Sequence, residues 1–281
     1  MAGVSRESPI SLYFLTLQKS TAITKAVYGS FSGPTAHEFA VARGKTLELL
    51  RHDPETHQLV SVARVECFGN VRSLLPFRLI GNKVDHIVVG SDSGKIVILR
   101  FDVKTSTFEK VHEETYGKTG CRRVTPGQFL AADAKGRALM IASLEKQKLV
   151  YVINRDASTN LTISSPLEAH KARMLCFDMC GTDTNFENPV FACLELDYSD
   201  ADEDETGSAA MQAEKYLTYY ELDLGLNHVV RKWSDVTDRG ANMVLPVPGG
   251  DKGPGGVLVL AENWVIYRHK DHPELRTPLP R

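Results

Sequence analysis

At 281 residues and 42 % hydrophobic content, the chain is long enough to bury a real core and too apolar for intrinsic disorder. A formal net charge of −2 argues against a protein that holds nucleic acid by an overall basic surface. No run approaches the ~20 apolar residues of a membrane span, and residues 1–11 lack the apolar stretch of a signal peptide; a soluble intracellular chain with no membrane partner is expected.

Residues 1–11 read as a flexible lead-in. From residue 12 to 281 the apolar runs are short, rich in Val, Ile and Leu, and punctuated by Gly, Asp, Asn or Pro. Residues 39–41 and 47–50 form the first clear strand pair, split by the turn Ala42-Arg43-Gly44-Lys45. A polar loop at 51–57 leads to another strand at 58–62. Residues 86–90 and 95–99 flank the turn Ser91-Asp92-Ser93-Gly94, where Gly94 supplies the positive φ of a tight hairpin. A loop at 101–105 and a strand at 108–111 repeat the rhythm of 51–62. Residues 129–131 and 138–141 flank Ala134-Lys135-Gly136-Arg137, and 149–153 and 256–260 are further strands.

Gly44, Gly94 and Gly136 mark a weak internal repeat, which predicts an all-β fold: a β-propeller of four-stranded antiparallel blades. A sandwich of regular hairpins has the same local signs and stays open on periodicity alone. The Gly-His and Trp-Asp marks of WD40 blades are missing, so the propeller is WD40-like without that signature. An acidic segment at about 197–213 breaks the pattern and is expected to be a solvated, mobile loop, with docking of a basic partner as its functional reading.

Searches for chemistry are mostly negative. The glycines of 248–256 lack Walker spacing and no helix follows, so the stretch reads as a flexible turn. The central residue of Gly90-Ser91-Asp92-Ser93-Gly94 is Asp, where a nucleophile elbow needs Ser. Five cysteines (Cys67, Cys121, Cys176, Cys180 and Cys193) are odd in number, irregular in spacing, and read as free thiols. On ideal strand alternation Cys176 and Cys180 share a face, with His170 and Cys193 nearby; buried thiols are a plainer account than a metal site. Lys118, Arg122 and Arg123 form the densest basic spot, a candidate contact for a phosphate or an acidic partner. No catalytic frame, cofactor or small-molecule substrate is indicated.

Several longer runs resemble one family. They include Gly90-Ser91-Asp92-Ser93-Gly94-Lys95-Ile96-Val97-Ile98-Leu99 and Tyr116-Gly117-Lys118-Thr119-Gly120-Cys121-Arg122-Arg123. Others are Leu161-Thr162-Ile163-Ser164-Ser165-Pro166-Leu167-Glu168-Ala169-His170-Lys171 and the stretch from Tyr220 to Lys232. Together they resemble the nuclear multi-propeller proteins shared among a splicing factor 3B subunit, the large damaged-DNA-binding subunit and the large cleavage and polyadenylation specificity factor subunit. The 161–171 and 220–232 runs resemble the splicing member. The resemblance implies a non-enzymatic scaffold in the nucleus, without catalytic residues, that supports branch-site recognition in pre-mRNA splicing. Its partners would be other splicing factor 3B subunits, especially the helical-repeat subunit, with RNA reached indirectly through the complex. Nucleic-acid binding through Lys118, Arg122 and Arg123, or a ubiquitin-ligase adaptor role, is the alternative within the family. Family members are several times longer, so a partial N-terminal propeller with an open ring is expected.

Overall fold

The structure is a computed structural model that describes residues 13, 15, 17–67, 69–157, 160–169, 171–184, 187–270 and 272–280. The lead-in expected at 1–11 and His170 lie outside the described residues.

Short apolar runs separated by turns have one economical solution: up-and-down strands paired with their sequence neighbours. The first blade is β1 (Lys25–Gly29), β2 (Glu38–Arg43), β3 (Thr46–His52) and β4 (Leu59–Glu66). The second is β5 (Val71–Phe77), β6 (His86–Ser91), β7 (Lys95–Asp102) and β8 (Thr107–Thr115). In the third, β9 (Phe129–Ala132), β10 (Ala138–Ala142) and β11 (Lys148–Arg155) are followed by β12 (Leu161–Ile163) and β13 (Leu167–Glu168), both paired with β11. The fourth has β14 (Met174–Gly181) and β15 (Val190–Asp197), then helices α1 (Ser199–Glu203) and α2 (Ser208–Gln212), then β16 (Lys215–Asp223) and β17 (His228–Thr237). Strands β18 (Met243–Pro246), β19 (Val257–Leu260), β20 (Trp264–His269) and β21 (His272–Pro278) make the fifth. Every pairing is antiparallel. The propeller expected from the sequence is the observed fold.

Each blade packs face to face on the next, through β1 on β5, β5 on β9, β9 on β14 and β14 on β18. Four apolar clusters fill the four interfaces. Ala40 and Leu49 meet Ile87 and Leu99 between the first two blades. Ile98 meets Leu139 and Ile141 between the second and third. Met140 meets Phe191 and Leu222 in the next, and Leu194 and Leu217 meet Val257 and Ile266 in the last. This sandwiching explains why β6 reads His-Ile-Val-Val-Gly-Ser without polar alternation: Ile87 faces one neighbour, Val88 the other, and all six residues are buried.

The outer hairpins repeat closely. Asp53 accepts from Glu55 N at 3.0 Å and Thr56 Oγ1 at 2.7 Å; Asp102 accepts from Lys104 N at 3.0 Å and Thr105 Oγ1 at 2.8 Å. Asp223 accepts from Gly225 N at 2.9 Å in the fourth blade. Four residues beyond each Asp, His57, Ser106 and Asn227 adopt φ of 53°, 52° and 51°. The Asx turn closes the loop, and the left-handed residue returns the chain into the outer strand.

Two expectations need correction. Gly44 and Gly94 both sit between the second and third strands of their blades, but Gly136 lies between β9 and β10, the first and second. The true counterpart in the third blade is 143–147, closed by Ser143 N donating to Gln147 O at 2.9 Å. Cys176 and Cys180 do not share a face. A bulge between Cys176 and Asp178 leaves Cys176 opposite Glu195 and Cys180 opposite Ala192. Positions 192 and 195 point to opposite sides of β15, so the two thiols do as well. Burial pushes the Cys176 thiol up to about 12 and the Cys193 thiol to about 11.

Two further segments differ from the loops read in the sequence. The acidic stretch carries the one-turn helices α1 and α2, and residues 248–256 hold a 3₁₀ turn (Gly250–Lys252) pinned by Gly249 N to Asp183 Oδ2 at 2.9 Å. Among the described residues, no helix is long and apolar enough to cross a membrane.

Candidate interaction face

An antiparallel meander sends alternate connections to opposite ends of the blade. One end of the propeller therefore collects the turns between second and third strands together with the crossings from blade to blade. Backbone hydrogen bonds weld them into a continuous face. Asp92 N donates to Asn70 O (3.0 Å), Gly120 N to Asp92 O (2.9 Å), Leu144 N to Arg122 O (2.9 Å) and Cys176 N to Leu144 O (2.8 Å).

The predicted basic spot lies here, on the crossing between β8 and β9. That crossing is pressed against the β6–β7 turn, and a Cβ on Gly120 would sit 2.4 Å from Asp92 Cα. Lys118, Arg122 and Arg123 are all exposed. They do not act as one cluster. Arg123 forms an ion pair with Glu145, whose other oxygen accepts from the Tyr198 hydroxyl. Arg123 and Tyr198 together hold the Glu145 carboxyl below its usual range. Arg122 carries no ion pair among the described residues, although its charge helps lower Asp92, whose principal partner is Arg72. Lys118 likewise has no ion pair among the described residues.

Tyr198 begins the acidic segment. In four blades the second-to-third-strand turn spans a few residues; in the fourth it is expanded to 198–214. Its root is fixed by Asp197, which accepts from Ser199 N at 3.0 Å and pairs with Lys171 at 2.9 Å. Burial would raise the Asp197 carboxyl, but the Ser199 and Lys171 hydrogen bonds outweigh it and hold it at about 2. Asp204 stabilises the start of α2 by accepting from Ala209 N at 2.7 Å and Thr206 N at 2.9 Å. Glu203 pairs with Arg173 at 2.8 Å. Asp200, Asp202 and Glu205 are exposed and form no salt bridge among the described residues, although the charge of Asp202 is felt by Arg173 and Tyr198.

A groove of about 750 Å³ opens between the third and fourth blades on this face. Arg123, Glu145, Tyr198 and Asp202 line its rim, and Phe129, Leu144, Leu175 and Phe177 give it an apolar floor. Gln128 also lines it, and its side-chain oxygen is buried without a hydrogen-bond partner among the described residues. The fold thus brings part of the predicted basic spot and the predicted acidic segment to one groove. Glu145 and Tyr198, which link them, carry no signal of their own in the sequence; only a correct blade phase would have set 145 beside 123 and 198. The arrangement offers apolar and charged contacts, and no group of three or more potential metal ligands occurs among the described residues.

The family profile described as "RSE1/DDB1/CPSF1 first beta-propeller" matches residues 22–281. The chain is 59 % identical over 270 residues to spliceosome-associated protein 130 A of Arabidopsis thaliana, and 56 % identical over 271 residues to splicing factor 3B subunit 3 of Danio rerio. It is 53 % identical over 277 residues to pre-mRNA-splicing factor RSE1 of Mycosarcoma maydis. Each alignment covers 96 % of this chain, and the chain spans about a fifth of the length of these relatives (22–23 %). With a matching profile over nearly its whole length and a five-bladed structure that fits it, the chain belongs to the RSE1/DDB1/CPSF1 first-propeller family and corresponds to an N-terminal portion of its splicing factor 3B subunit 3 members.

Proposed function

We propose that this propeller is a non-catalytic docking scaffold of a splicing factor 3B assembly, acting in the nucleus in pre-mRNA splicing and supporting branch-site recognition through protein contacts. The observation that carries this reading is the 50–59 % identity to relatives named as splicing or spliceosome-associated factors. A face built of loops around an apolar, charge-rimmed groove suits protein contact better than turnover of a small substrate. Other splicing factor 3B subunits, the helical-repeat subunit foremost, are the partners in this reading, and RNA is reached through them. Purification of the tagged full-length protein from nuclear extract tests it. Co-recovery of those subunits is expected; their absence would sink the proposal.

Lys118 and Arg122, exposed and without an ion pair among the described residues, favour one second reading, direct contact with an RNA phosphate. A full-length K118A/R122A variant would then bind RNA with a shallower salt dependence. An unchanged salt slope removes that role.

A further inference from the structure

We propose that the groove between the third and fourth blades seats an apolar anchor side chain of a partner protein, on a segment that carries lysine or arginine beside the anchor. This rests on the docking-scaffold reading and names the surface and the chemistry of what docks.

Two observations converge. The floor of Phe129, Leu144, Leu175 and Phe177 is apolar and opens to solvent, so covering it removes apolar surface from water. The charge around the rim is divided: Arg122 and Lys146 are exposed on the third-blade side, whereas the fourth-blade side is acidic. Arg123 is neutralised by Glu145, and Glu203 by Arg173, leaving Asp200, Asp202 and Glu205 along the expanded turn. An acidic segment lying along the expanded turn would meet like charge, whereas a basic one is attracted to that side and oriented by it.

The expanded turn is built to hold these carboxylates in place. It hangs from Asp197 and from the Tyr198–Glu145 hydrogen bond, and Asp204 organises its second helix. Tyr198 is the hinge between floor and rim, because its hydroxyl is tied to the same carboxylate that binds Arg123.

The test uses full-length protein and a labelled synthetic peptide with a Leu-Trp-Leu centre flanked by lysines, followed by fluorescence polarisation. Two control peptides replace the lysines with glutamates or the apolar centre with alanines. The lysine peptide should bind, and both controls should bind far more weakly. The rim variant D200K/D202K/E205K, which touches no buried side chain, should lose about tenfold in affinity for the lysine peptide. L175E should abolish binding, with its melting temperature recorded to show that the blades remain folded. Equal binding of lysine and glutamate peptides, equal binding by wild type and the rim variant, or no binding of the lysine peptide overturns the proposal. The same wild-type preparation is assayed for co-purifying splicing factor 3B subunits. Their absence indicts the scaffold reading itself; their presence alongside any of the negative peptide results indicts the groove alone.

Discussion

The ammonium group of Lys148, at the start of β11, crosses the interface between the third and fourth blades to the carboxylate of Glu195 on β15. Both side chains are almost wholly buried, at 7 % and 0 % exposure. Tyr220 completes the arrangement: its hydroxyl donates to Glu195 at 3.0 Å, and its ring lies 4.6 Å from the Lys148 nitrogen. A charge pair at this depth is useful for matching two blades, because displacing either partner leaves the other charge buried and uncompensated.

Removing one partner should therefore cost far more than removing both. Lys148→Met in the full-length protein leaves Glu195 buried and uncompensated and should destabilise the propeller by about 3–5 kcal/mol. Adding Glu195→Leu in the same chain should recover most of that loss. Thermal unfolding of the two single variants and the double variant reads the difference; additive losses would show that the pair is not coupled.

His86 predicts a pH dependence. It is 3 % exposed, stacks on Phe77 with ring centroids 5.3 Å apart, and its Nδ1 has no hydrogen-bond partner among the described residues. Burial, then the charge of Arg100 and least of all that of Arg155, lowers its pKa from 6.5 to about 4, against the opposing charge of Asp85. Protons then bind the unfolded chain more readily. Stability from this site is complete above pH 6.5 and drains away as pH falls towards 4, by up to a few kcal/mol. His86→Phe keeps the ring stack and should flatten that part of the stability profile; chemical denaturation across the window measures it.

The Gly120 contact should be intolerant of any side chain. Its missing Cβ allows the β8–β9 crossing to lie on the backbone of Asp92. Gly120→Ala should cost about 1–3 kcal/mol by overpacking and loosen the crossing that carries Arg122 and Arg123. Faster amide exchange at position 120 and at Leu144, with the far blades unchanged, is the expected signature.

The end blades present uncovered apolar faces. Tyr28 and Phe39 are exposed on the first, and Met243, Leu245 and Leu275 on the fifth. Among the described residues, β18 and β1 do not pack on each other as the other innermost strands do. The 281-residue chain on its own should self-associate through these faces, and L245K/L275K should reduce that association. Light scattering across a concentration series decides it; identical masses for both chains would rule the faces out.

Much of the fold was legible because hairpins are local. The runs at 86–90 and 95–99 and the turn at Gly94 appear in the structure where the sequence places them, since strand propensity and a positive-φ glycine act within a few residues. The blade phase was harder. Gly136 resembles Gly94 locally, yet it closes a different turn, and nothing within the hairpin distinguishes the two. The candidate groove was only half legible. Arg123 and the acidic run stood out by charge, but Glu145, Tyr198 and Gln128 matter through where neighbouring blades bring them.

By itself the sequence determined an all-β chain of antiparallel hairpins with solvated, charged connections, because side-chain alternation and turn chemistry are set by short-range sterics. The tertiary structure alone decided which face each side chain occupies after a bulge, as at Cys176 and Cys180, and which distant charges cancel, as at Arg123 and Glu145. Those outcomes depend on cross-strand hydrogen bonds and on blade-to-blade packing, which join residues far apart in the chain and leave no periodic trace along it.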